Sequence, residues 1–197
     1  MEQEEKVLNP QESLRVIRET IDLAKSHLSE NGFHFLLWGW LVTATCLVDY
    51  YLAVIARYPG HPLAWISMAV IGAPVSLMYE WRREKKEPLT ANPVREWYGR
   101  VWLAFGISLV LITVLSIPAH LSPVPFILVL VGFATFVSGS LLRFRPLIWG
   151  SVAVWAGAVV CLYLAPSEHL LVQAAAIVAG YLIPGYWLNV RARSRHV

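Results

Sequence analysis

Charge is the scarcest ingredient of this chain. Of 197 residues only 15% are Asp, Glu, Lys or Arg, while 57% are hydrophobic, against roughly 25% charged in an ordinary soluble domain. So few charges cannot coat a globule, which excludes a conventional water-soluble fold and makes lipid the expected solvent. Cysteine is almost missing too. Cys46 and Cys161 both fall inside apolar stretches, where a thiol behaves as a small hydrophobe, so neither a disulfide framework nor a redox centre is expected. Catalytic signatures are also lacking: there is no His-Glu-x-x-His helix, no phosphate-cradling glycine loop and no paired aspartates in adjacent apolar runs. A non-enzymatic protein without cofactors is the expectation. The start of the chain lacks a basic segment running directly into a short apolar stretch and a small-residue cleavage site, so no signal peptide is expected.

What the chain has in abundance is length without charge. Six stretches, 33–56, 63–81, 97–117, 123–142, 147–165 and 169–190, are each long enough to cross a hydrocarbon core of about 30 Å as a helix rising 1.5 Å per residue. They are continuously apolar and do not alternate, which argues for helices over the strands of a barrel. The expected fold is therefore all-α, a polytopic membrane bundle of six spans in residues 33–190. With the N-terminus inside, the inner segments hold fifteen of the sixteen basic residues and only Arg57 falls outside. That asymmetry puts both termini, including a basic tail at 191–197, in the cytoplasm. Trp38, Trp40, Trp81, Trp97, Trp102, Trp149 and Trp187 lie near the same inner interface, where an indole keeps its N–H among headgroups.

Residues 1–32 have a logic of their own. Asn9, Pro10 and Glu12 form a helix-start pattern, and Leu14, Ile17, Ile21, Ala24 and Leu28 recur at helical spacing opposite charged residues. This predicts an amphipathic cytoplasmic helix. Residues 1–30 carry seven acidic groups against four basic ones, and an anionic leaflet attracts polybasic segments. The face made by Leu14, Ile17, Ile21 and Leu28 is thus expected to meet the protein's own bundle, a second copy or a protein partner before it meets lipid.

The six spans read as three helical hairpins with shared landmarks. Each opens with an aromatic-Gly pair (Trp38-Gly39, Tyr98-Gly99, Trp149-Gly150) and reaches an outer turn with Pro and then His: Pro59 to His61, Pro118 to His120, Pro166 to His169. A glycine follows each His by 11 or 12 residues, at Gly72, Gly132 and Gly180. A threefold repeat of about 50 residues fits this, as do three unrelated hairpins cut to one bilayer thickness. Ala153 with Gly157 and Ala176 with Gly180 are small-xxx-small pairs that predict contact between the fifth and sixth spans. Pro74 and Pro184 each delete a helix hydrogen bond.

An ionisable side chain within a span is a functional suspect by default, and Asp49 is the clear instance. Followed by Tyr50 and Tyr51, it reads either as a proton- or cation-handling group in a small transporter or channel, or as a carboxylate wetted by outer headgroup water or paired with Arg57. His61, His120 and His169, with Glu168 on the same side, form a second set; were the outer turns to converge, three imidazoles and a carboxylate would suit a metal such as zinc, or a pH sensor. The plain alternative is that they are ordinary turn residues. Phe136 to Gly139 lacks the first glycine of the Gly-x-Ser-Gly of rhomboid-type proteases, and no buried His accompanies it. The mixed charges from Arg82 to Arg100 have no aromatic interleaving, so no nucleic-acid partner is expected.

The segment Glu30 to His34 running into Leu37-Trp38-Gly39-Trp40, together with Gly180 to Tyr186, resembles a family of uncharacterised small multi-pass bacterial membrane proteins. The resemblance implies a bacterial cytoplasmic-membrane location and brings no activity, cofactor or site residue with it. The leading expectation is an interaction or regulatory component of that membrane. The alternatives are a small transporter or channel at Asp49, and a metal- or pH-responsive sensor.

Overall fold

A computed structural model describes residues 32–85, 93–141 and 144–193. The expected amphipathic helix, with Leu14, Ile17, Ile21 and Leu28, lies outside the described residues. Among those described there is no strand, and six helical stretches are long and apolar enough to cross a membrane. α1 is Gly32–Ile55, with its last turn, Tyr51–Ile55, π-helical. α2 is Leu63–Glu84, α3 is Pro93–Ser116, α4 is Val124–Leu141 and α5 is Arg145–Val160, extended by a 3-10 turn at Cys161–Tyr163. The sixth stretch combines α6 (His169–Ile177), a π turn (Val178–Leu182) and α7 (Ile183–Arg193).

Local chemistry explains how several helices end. α3 stops in a left-handed cap: His120 takes φ 51°, Leu121 N–H reaches back to Ser116 O at 3.2 Å, and His120 N–H reaches Ile117 O at 3.2 Å. α1 ends similarly, with Arg57 at φ 48° and Tyr58 N–H on Leu52 O at 2.8 Å. Pro146 stands in the first turn of α5, where a missing N–H costs nothing. Pro184 follows directly on the second π turn, in which Ile183 N–H bonds Val178 O; proline has no N–H to give Gly180 O, and the widened turn precedes it.

Packing is concentrated in the later part of the chain. α4 lies along α5, and α5 along α6 and the π turn. Leu128, Leu147 and Val154 are fully enclosed between them. α5 and the sixth stretch approach at glycine: a Cβ on Gly150 would stand 2.7 Å from Gly180 O, and one on Gly157 would stand 2.9 Å from Ala176 Cβ. The expected contact between these two spans is present, with Gly150 as a participant the small-xxx-small pattern did not name. Trp155 closes the α4–α5 seam by laying its indole on Gly132 and donating Nε1–H to Val129 O at 3.1 Å. α1 joins through Gly39 against Leu182 and Tyr181, and through Phe35, whose ring meets Tyr181 at 5.1 Å and Trp102 of α3 at 6.3 Å.

α2 and α3 are thinly covered. In the best 18-residue window of each helix, 44%, 39% and 50% of residues are buried for α4, α5 and the sixth stretch, 28% for α1, and only 6% and 0% for α2 and α3. Hydroxyls on exposed helix faces are nonetheless paired internally. Thr113 donates to Leu109 O at 2.8 Å, Ser67 to Ala64 O at 2.8 Å and Ser140 to Phe136 O at 2.9 Å.

Candidate functional site

The last turns of α1 and the first turn of α2 close on a buried carboxylate. Asp49 is 5% exposed, and both of its oxygens are taken. His61 Nδ1–H donates to Oδ1 at 2.7 Å and Trp65 Nε1–H to Oδ2 at 2.7 Å, the short range of charge-assisted bonds. The loop between the helices is a chain of tight turns, with His61 N–H on Tyr58 O at 3.2 Å and Leu63 N–H on Gly60 O at 3.0 Å. It delivers His61 above Asp49, while Trp65 reaches it from inside α2. A π turn begins two residues beyond Asp49, where Ala56 N–H bonds Tyr51 O at 2.9 Å.

The tautomer follows from the partner. A carboxylate only accepts, so Nδ1 of His61 carries the proton, and in the neutral ring Nε2 is left as an acceptor. With 38% of the His61 side chain exposed, the imidazole links a sealed carboxylate to the outside of the bundle. A carboxylate steadying one ring nitrogen while the other stays available is how a histidine is oriented for proton exchange or for a ligand. Cys46, one turn earlier, and Thr45 are buried on the same helix. Thr43 Oγ1 and Gln173 Oε1 are buried without a hydrogen-bond partner among the described residues.

The other expected site residues are dispersed. Tyr50 is half-buried and Tyr51 exposed, and Asp49 is bonded by neither of them nor by Arg57, which is exposed and holds the helix cap. His120 is exposed and serves as a cap residue. His169 is 6% exposed and ties two interhelical turns together: Nε2–H faces Cys161 O at 2.9 Å and Leu164 O at 3.3 Å, so the neutral ring accepts at Nδ1 from Ser122 Oγ–H at 2.9 Å. Glu168 is exposed beside it. Among the described residues no three His, Cys, Asp or Glu side chains are placed to hold a metal ion. Among the described residues His61, His120, His169 and Glu168 do not converge: the His61 and His169 rings have different local partners, and His120 lends its backbone to a helix cap.

Sequence reading missed Trp65 as the second partner of Asp49, and it missed the fastening at the opposite end of the same helix pair. There Phe33 stacks on Tyr79 at 4.0 Å and His34 Nε2–H donates to Glu80 Oε1 at 2.9 Å. A signal was available. Reflecting α1 onto α2 through Arg57, as for any antiparallel pair, sets 49 against 65 and 34 against 80.

No family model, no curated protein and no solved structure matches this chain. The site therefore rests on its own geometry, and the likeness drawn on Glu30 to Trp40 and Gly180 to Tyr186 contributes no residue roles.

Proposed function

We propose that the chain is an integral protein of a bacterial cytoplasmic membrane, crossing it six times as three hairpins with both termini inside, and acting as a non-enzymatic interaction or regulatory component. The observation carrying this reading is the contrast between the enclosed α4–α6 core and the uncovered α2 and α3. Apolar helices exposed on nearly every side would aggregate in water. In a bilayer they are solvated, and hydroxyls bonded back to their own helix suit a medium without water. The interior is filled by Leu128, Leu147, Val154 and Phe35, which supports a solid bundle over an open pore. Two helices that add little to the core leave surface for a second copy or another membrane protein, in concert with the N-terminal amphipathic segment.

The test is a photo-crosslinking residue placed at Ile107 or Val110 of α3 and at Ile66 or Val70 of α2, with Phe133 of α4 as the control. All five are exposed. A defined protein adduct from α2 or α3, absent at Phe133, is the expected result. A chain that stays monomeric and gives only lipid adducts at every position contradicts the reading.

A second reading is favoured by one observation, the buried Asp49 under an outward-facing His61. On this reading the pair passes a proton or small cation at the outer face, through the exposed edge of the His61 ring. Asp49→Asn keeps the shape and removes the charge. It should abolish proton- or cation-coupled flux in proteoliposomes, and unchanged flux, or none in the parent protein, would retire this idea.

A further inference from the structure

On the face where α5 meets the last helix, a trough of about 580 Å³ opens beside the bundle. It lies far from Asp49, at the other end of the helices. Its lining includes Gly150 and Pro184, which touch through the proline ring, and the small residues Ala153 and Ala179. From Arg145 to Ala153 it runs for about 12 Å along α5 at 1.5 Å per residue. The two ends differ in chemistry. One holds Arg145, flanked by the largely exposed indoles of Trp149 and Trp187; the other is lined by Ala153, Ala179 and Ile183.

We propose that this trough binds one anionic phospholipid, with its phosphate on Arg145 between the two indoles and an acyl chain laid along Ala153, Ala179 and Ile183. A guanidinium pairs bidentately with phosphate oxygens, and Trp N–H groups donate at headgroup depth. The apolar end selects a lipid over free phosphate, since an inorganic anion gains nothing from Ala153 and Ile183. The charge selects an anionic headgroup over a zwitterionic one: among the described residues no Asp or Glu lines the trough, so a choline or ethanolamine cation finds no counter-ion there. Among the described residues no carboxylate pairs with Arg145. A volume of this size lies within the range of small-molecule sites.

The inference rests on the membrane reading above, which puts the Arg145 end of α5 at the cytoplasmic leaflet. The two are tested separately. The full chain, purified in detergent, is titrated with phosphatidylglycerol and with phosphatidylcholine, both carrying brominated acyl chains, and tryptophan quenching is followed. Half-maximal quenching by the anionic lipid is expected at about a tenfold lower mole fraction. Trp149→Phe with Trp187→Phe should remove the lipid-selective component. Arg145→Gln, at an exposed position, should equalise the two lipids, and Ala153→Phe, which fills the trough, should remove selective quenching. Equal quenching by both lipids in the parent protein, or selectivity that survives Ala153→Phe, overturns the proposal. So does a disulfide between copies carrying Ala153→Cys, since a second copy would then occupy the trough; Cys46 and Cys161 are buried and do not compete. Failure of the membrane reading has a different signature: labelling of Lys85 in intact cells by an impermeant amine reagent, whatever the detergent titration shows.

Discussion

α3 and α5 are both apolar, both long enough to span a bilayer and both carry glycines, yet they occupy opposite extremes of this protein. α5 is gripped by α4 on one side and the sixth stretch on the other, with Gly150 against Gly180 and Gly157 against Ala176. α3 touches the bundle along one edge, and a Cβ at Gly99 or Gly106 would meet nothing within 4 Å among the described residues. Hydrophobicity alone does not make a helix part of the core. In a lipid-like solvent association comes from close backbone approach and interhelical hydrogen bonds, and α5 has partners for both while α3 has few.

The sharpest way to break that contrast is to give both helices the same side chain. Gly150→Val should destabilise the purified protein by about 3 kcal/mol or more, since the added atoms run into backbone, and lower its melting temperature by about 10 °C. Gly106→Val should leave melting nearly unchanged in detergent. Comparable losses at both positions would mean that α3 has a covering partner of its own.

The next largest effect concerns how α2 is held, since it has so little burial. Asp49→Ala leaves the His61 and Trp65 N–H groups facing a void. It should cost on the order of 3 kcal/mol, and Trp65→Phe about 1.5 kcal/mol through one lost bond, both read as shifts in thermal melting. If Asp49→Ala melts like the parent, the α1–α2 pair is fastened at its other end, by Phe33 on Tyr79 and His34 on Glu80, and His34→Ala becomes the damaging change.

Smaller effects separate the turns that carry His120 and His169. His169→Ala removes the donor to Cys161 O and the acceptor for Ser122 and should cost about 2 kcal/mol. His120→Gly should do the reverse and stabilise by about 1 kcal/mol, because glycine adopts the left-handed cap conformation without strain. Two histidines at matching places in the sequence would thus shift melting in opposite directions; equal shifts would restore their equivalence.

The three Pro-and-His turns show why only part of the site was legible beforehand. Spacing along the chain marked His61, His120 and His169 as equivalent, but the first holds a carboxylate, the second caps a helix and the third bridges turns. The glycines share more. Gly72 lies under Trp38, Gly132 under Trp155 and Gly180 against Gly150, so each is a point of close approach, although Gly132 meets the next helix pair and not its own. Asp49 was recognisable as an anomaly because a carboxylate in an apolar run stands out. Of its partners, Trp65 falls opposite Asp49 by antiparallel reflection through Arg57, whereas His61 lies in the connecting turn, whose path only the fold sets.

The order of apolar and charged segments, with no help from tertiary contacts, determined six long helices and marked Asp49 as the ionisable group among them, because burial preference and helix length are properties of consecutive residues. Which helices form the core, which two stay uncovered and which N–H groups meet the carboxylate were decided only by the folded structure. Those outcomes depend on how helices rotate and approach one another, and that is set by atoms far apart in the chain.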